Sequence, residues 1–214
     1  MTLTKIVITL KSATTFGRGD GVAGLVDREI EHDANGFPFL RGKTLKGLLA
    51  ESAENVVFAL DNAEKWCKAK NDLFGISGRG LKERGSLHIG DAQLPASLRA
   101  AVSDEGLPKE DVLYSLTGIR RQTSINEYGA PEYASLRSMR VLLPGVVLEA
   151  QISFDPSPTD EQKQLLAAAV LDLRRAGTGR NRGRGWLQAE LNDDEKTKAL
   201  FTAFENAISK EALK

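Results

Sequence analysis

The strongest constraint on the fold is a change of hydrophobic period along the chain. Residues 2–11 alternate, with Ile6, Ile8 and Leu10 on one side and Lys5, Val7, Thr9 and Lys11 on the other. Residues 146–154 alternate again, Leu148, Ala150, Ile152 and Phe154 against Glu149, Gln151 and Ser153. A period of two marks strands with one buried face. Between them, residues 43–70 place Leu45, Leu48, Leu49, Ser52, Val56, Leu60, Ala63 and Cys67 at helical spacing. This predicts one long amphipathic helix with an acidic outer face, closed by Asn71-Asp72-Leu73-Phe74-Gly75. Leu87 and Ile89 alternate with Ser86 and His88 and predict a strand over 86–92. Ser157-Pro158-Thr159-Asp160-Glu161 combines a cap residue, Pro at the first helical position and early acids, which starts a second helix. That helix runs to about Ala176 on the stripe Leu165, Leu166, Ala169, Val170 and Leu173, and a last strand spans Trp186 to Leu191. A charged helix over about 195–212 ends the chain.

The order strand, helix, strand, strand, helix, strand is that of an α+β, ferredoxin-like (RRM-like) βαββαβ core. The 214 residues are read as a single domain, 1–214, with large insertions at about 16–42 and 95–143. The first is glycine-rich and irregular, with a turn at Asp33-Ala34-Asn35-Gly36. The second holds no long periodic element. A small core leaves half of the chain in loops, where function concentrates. The apolar run around Val141 to Leu148 is broken by Pro144-Gly145, the first residues lack a signal-peptide plan, and Cys67 is the lone cysteine. A cytoplasmic protein without disulfides or a cysteine-based zinc site is expected.

Lys plus Arg and Asp plus Glu number 29 each, and the zero net charge argues against a nucleic-acid binder only if the signs are mixed. They are not. Residues 174–184 hold five arginines, Arg174, Arg175, Arg180, Arg182 and Arg184, and no acid, so the rest of the chain has 24 bases against 29 acids, a net of −5. Residues 51–64 carry Glu51, Glu54, Asp61 and Glu64 with no Lys or Arg. In the basic segment, glycines at 177, 179, 183 and 185 let backbone approach a polyanion while guanidinium forks take phosphate oxygens. A dinucleotide loop would put its glycines after a strand and before a helix, and here the order is reversed. The bland alternative is a solvated turn.

Gly42-Lys43-Thr44 at a helix start resembles the end of a P-loop, but position 37 is Phe where that motif needs glycine, which argues against a P-loop ATPase. What remains is a helix N-terminus with Arg41, Lys43, Thr44 and Lys46, suited to a backbone phosphate or to ordinary capping. The second insertion mixes Arg120, Arg121, Arg137 and Arg140 with amides, hydroxyls and tyrosines, a composition suited to a single strand. The first gathers Asp20, Asp27, Glu29, Glu31, Asp33 and His32. A carboxylate there could hold a hydrated divalent ion or take a 2'-hydroxyl proton. His32 and His88 have no sequence partner that points to a metal or acid–base role.

Three blocks resemble the RAMP superfamily, specifically the backbone subunits that line guide RNA in type III CRISPR-Cas effector complexes. Gly24-Leu25-Val26-Asp27, followed by Asp33 to Gly47, is similar to that family's aspartate loop and its "D-x-x-G-x-P-Y-I-P-G-S-S-L-K-G" helix start, with Arg41 where Pro is frequent. Leu73-Phe74-Gly75 and Gly85 to Ala92 resemble its "LFG" and "DA" strand, and Gly177 to Trp186 its glycine-rich loop. The resemblance implies guide-RNA binding and cleavage of complementary target RNA, dependent on Mg2+ or another divalent cation. It makes Asp27, six residues before the turn Asp33, the expected catalytic and metal-holding residue. It implies that the second insertion is a thumb that splays nucleotides, and that the partners are guide RNA, target RNA and other subunits, copies or paralogues included, with no membrane. The RNA-binding residues expected are Arg41, Lys43, Thr44, Lys46, Arg120, Arg121, Arg137, Arg140, Arg174, Arg180, Arg182 and Arg184. A non-catalytic guide-binding subunit and a guide-processing endoribonuclease are the alternatives.

Overall fold

The computed structural model describes residues 3–60, 63–76 and 84–212. Asp61 and most of the glycine-rich linker before the second strand lie outside the described residues. Four strands, β1 (Lys5–Leu10), β2 (Leu87–Ile89), β5 (Val147–Phe154) and β6 (Leu187–Leu191), form one antiparallel sheet in the order β2-β5-β1-β6. The mixed α+β architecture expected from the sequence is present. In β1 the alternation places Ile6, Ile8 and Leu10 fully inside. In β5, Leu148, Ala150 and Ile152 are buried with Phe154 packed against them. Helices α1 (Gly42–Phe58), α2 (Glu64–Phe74) and α5 (Asp160–Asp172) pack together, and α6 (Asp194–Ala212) covers α5 and β6.

The single long helix expected over 43–70 is two helices. α1 ends at the Ala59 cap, whose N–H bonds back to Asn55 and Val56, and α2 begins at Glu64. One straight helix of that length would span about 42 Å, and its single stripe could not follow a curved core. Broken in two, the chain sends Leu45 and Leu49 into the main core while α2 turns Trp66 into a second cluster with Val57, Leu165, Ala168 and Phe204. Trp66 is fully buried and meets Phe204 edge to face at 4.6 Å.

The start of α5 also lies further along than expected. Its cap is Thr159, not Ser157, because Gln162 completes a reciprocal box: Gln162 N–H donates to Thr159 Oγ1 and Thr159 N–H to Gln162 Oε1. The segment 95–143, expected to hold no long periodic element, consists of short ones: α3 (Ala96–Asp104), α4 (Lys109–Leu116) and a hairpin of β3 (Thr117–Gln122) and β4 (Arg137–Leu142). Val112, Leu113 and Leu142 join the main core, so this segment is anchored to the domain.

Trp66→Ala is expected to cost about 3–5 kcal/mol through lost transfer energy and a residual cavity. Urea denaturation of the full chain measures it.

Candidate nucleic-acid interface

Three segments far apart in sequence converge beside the hairpin. The stretch Asp27 to Glu29 runs parallel to β4: Asp27 N–H donates to Ser138 O, and Arg140 N–H donates to Arg28 O. On extended backbone, residues two apart point the same way. Asp27 therefore faces Ser138 and Glu29 faces Arg140. The glycine-rich loop is tied to the same place through residues 13–15, with Thr178 N–H on Thr15 O, Gly185 N–H on Ala13 O and Thr15 Oγ1 donating to Arg140 O. Gly185 has φ +73°, and a Cβ there would overlap Ala176 O, so only glycine lets the loop close onto the end of the α5 segment.

Together they enclose an open groove of about 650 Å³, lined by Asp27, Arg28, Gln122, Arg137, Ser138 and Thr178 with the loop arginines. Of the expected site residues it brings together Asp27, Arg137, Arg180, Arg182 and Arg184. Arg184 is nearly buried, donates to Gln122 Oε1 at 3.1 Å and contacts Met139 Sδ, so it braces the groove from below. Burial lowers its pKa first, and then the charges of Arg120, Arg182 and Arg28 lower it further, so each of these three opposes the Arg184 charge. Such repulsion is relieved by a polyanion. Arg120 and Arg121 are exposed on β3, where Arg121 sits opposite Ser138. Arg180 forks onto Glu51 of α1 at 3.0 and 3.1 Å, and Arg174 is exposed.

Arg140, expected among the RNA contacts, is withdrawn. It is 2% exposed, donates to Glu29 Oε1 at 2.8 Å and to Thr117 Oγ1, and lies over the Tyr114 ring. The helix N-terminus is also occupied differently from the expectation. Asp91 Oδ1 accepts Gly42 N–H at 2.7 Å, filling the place of a phosphate. Arg41 pairs with Glu31, which raises its pKa, and Lys46 donates to Leu87 O while burial lowers its own. Thr44 is exposed on the first turn of α1. Lys43 and Lys46 line a separate, shallower depression with Arg84 and His88. Along α1, Lys43, Gly47 and Glu51 follow one row, about 12 Å from first to last, so this depression and the groove lie on one continuous face.

The acids of the first insertion are separated by their partners. Asp20 pairs with Arg18, Glu29 with Arg140, Glu31 with Arg41 and Asp33 with Arg99, while Asp33 Oδ1 also accepts Asn35 and Phe37 N–H. Asp27 remains exposed at the groove. Its carboxylate accepts Ser138 N–H at 2.6 Å and Ser138 Oγ–H at 3.0 Å. The Ser138 backbone, then its hydroxyl, then the Arg137 charge hold its pKa below the ordinary 3.8. The stabilisation this gives is present above that value and is lost as pH falls through the lower folded value. Among the described residues no three His, Cys, Asp or Glu could cage a metal ion. One carboxylate fits a hydrated divalent cation shared with phosphate oxygens. Sequence reasoning missed Arg28 and Ser138. Arg28 carried the signal of adjoining Asp27, and Ser138 carried none.

The RAMP superfamily profile matches residues 7–188. No curated protein matches the chain. The fold is similar to a chain in "Cryo-EM structure of the Type III-B Cmr-beta bound to cognate target RNA", with TM-score 0.66 and 10% identity over 94% of this chain and 99% of that one. A chain in "Type III-B Cmr-beta Cryo-EM structure of the Apo state" gives 0.58 and 11% over 89% and 97%.

Arg140→Met is expected to cost about 3–5 kcal/mol by stranding the Glu29 charge, and adding Glu29→Leu to recover most of it; urea denaturation of both variants checks the pair. With its profile spanning the sheet, the hairpin and the glycine-rich loop that build this groove, the chain belongs to the RAMP superfamily.

Proposed function

We propose that this chain is a guide-RNA-binding backbone subunit of a type III CRISPR effector complex, and that Asp27 takes part in cleaving complementary target RNA held on the guide. The observation that carries this reading is the groove, where one exposed carboxylate stands among converging guanidinium groups on glycine-rich backbone. Such a surface grips phosphates and leaves sequence choice to base pairing. The family and the likeness to Cmr-beta chains support it. The strand order β2-β5-β1-β6 supports a ferredoxin-like core, with the aspartate loop and the α3-to-β4 segment, as thumb, inserted into it.

Asp27 is ionised at neutral pH and would take the proton of a 2'-hydroxyl as its oxygen bonds to the adjacent phosphorus, which breaks the bond to the 5'-oxygen and leaves a 2',3'-cyclic phosphate and a 5'-hydroxyl protonated from water; alternatively it would hold a divalent cation. Mg2+ or another such cation, when bound, supplies Lewis-acid stabilisation of the developing phosphoryl charge. Arg28, Arg137 and Arg182 would hold the RNA backbone. Other subunits, copies of this chain or paralogues, would complete the assembly in the cytoplasm. No helix among the described residues is long and apolar enough to cross a membrane. A non-catalytic guide-binding role is favoured by one observation: Oδ2 of Asp27 already accepts two hydrogen bonds from Ser138, and among the described residues no second acid or histidine lines the groove. Guide processing by a histidine base gains no support, since His32 bonds the Asp33 carbonyl and His88 lies outside the groove.

Asp27→Ala in the assembled complex should lower target cleavage by about 100-fold or more with guide and target binding kept. Unchanged cleavage selects the non-catalytic reading. Arg120→Glu with Arg182→Glu should weaken guide binding and flatten its dependence on salt by about one to two units of log–log slope, read from a titration series.

A further inference from the structure

We infer that Ser138 is a positioning residue for Asp27, so that the hairpin carrying the exposed arginines also holds the reacting carboxylate; this rests on the proposed cleavage. Four hydrogen bonds join the two residues. Ser138 N–H and Oγ–H both donate to Asp27 Oδ2, at 2.6 and 3.0 Å, while Asp27 N–H is shared between Ser138 O and Oγ, at 3.0 and 3.2 Å. The carboxylate is thereby fixed in rotation and tied to β4 across 111 residues of chain. Two residues further along, the same register is locked by the buried pair of Glu29 and Arg140. Ser138 is half-buried and lines the groove, yet the nearer acceptor of its hydroxyl is Asp27 Oδ2 at 3.0 Å, with Leu25 O further off at 3.5 Å. Arg137 precedes it and Arg121 lies opposite, so RNA bound to the hairpin arginines would meet Asp27 at a fixed height. A shift of one ångström in such a placement costs about 100-fold in rate, which gives the serine a role beyond stability.

Ser138→Ala keeps the backbone donor and removes the hydroxyl. In the reconstituted complex, single-turnover cleavage should fall about tenfold with RNA affinity within about twofold, and the acid limb of the pH profile should move up. Ser138→Thr, which keeps a hydroxyl, should restore rate and profile. In the full chain alone, a carboxyl NMR titration should show the Asp27 pKa rising toward 3.8 in Ser138→Ala. If Ser138→Ala does not fold, Ser138→Cys, which keeps the volume with a weaker donor, carries the same comparison. Wild-type cleavage by Ser138→Ala where Asp27→Ala is inactive overturns the positioning role alone. Wild-type cleavage by Asp27→Ala overturns the role together with the catalytic reading. A loss of RNA affinity matching the loss of rate also overturns it, because that is what a structural serine would give.

Discussion

A carboxylate and a guanidinium leave water together only when each completes the other, and the geometry of the groove depends on one such pair. Glu29 and Arg140 have side chains 2% and 3% exposed, joined at 2.8 Å. Arg140 also donates to Thr117 and lies over Tyr114, while Glu29 accepts the Ile30 N–H. The pair is weak evidence for net stability, since an apolar replacement of both can do as well. What it fixes is register: a shift of the aspartate loop by one residue would strand two charges and turn Asp27 away from Ser138. Specificity of placement, rather than energy, is what the fold gains there.

The main sheet was legible because the alternation of Ile6, Ile8 and Leu10, and of Leu148, Ala150 and Ile152, records burial of one face. On α5 the expected stripe of Leu165, Leu166, Ala169, Val170 and Leu173 is buried, but so are Ala167 and Ala168, because α1, α2, α6 and β6 enclose the helix on several sides. Other features depend on partners far along the chain. Arg140 reads as a surface base because Glu29 is 111 residues away, and the Asp91 carboxylate that caps α1 at Gly42 lies 49 residues from it. The break between α1 and α2 reflects where Trp66 finds Phe204, which helical spacing alone does not encode. Six acidic or histidine candidates in one loop look alike in sequence. Asp27 stands apart because Arg18, Arg140, Arg41 and Arg99 take four of the others.

The zero net charge acquires a spatial meaning. Arg28, Arg137, Arg180, Arg182 and Arg184 line one groove, drawn from three segments, while Glu51 and Glu54 lie on α1. The bidentate contact of Arg180 with Glu51 sits at the boundary between these fields. An acidic body around a basic track disfavours indiscriminate polyanion binding and leaves affinity to the cluster itself. The basic segment is also less uniform than its composition implies, since Arg184 is a buried brace and Arg175 lies over Trp186.

The central claim is that this groove holds RNA. The most direct measurement is ultraviolet crosslinking of the chain to the RNA that accompanies it on purification, with the modified peptides mapped by mass spectrometry. The account predicts an RNA of defined length and adducts within 118–124, 135–139 and 177–184. Absence of RNA, or adducts confined to α6 and the far side of α5, would contradict it.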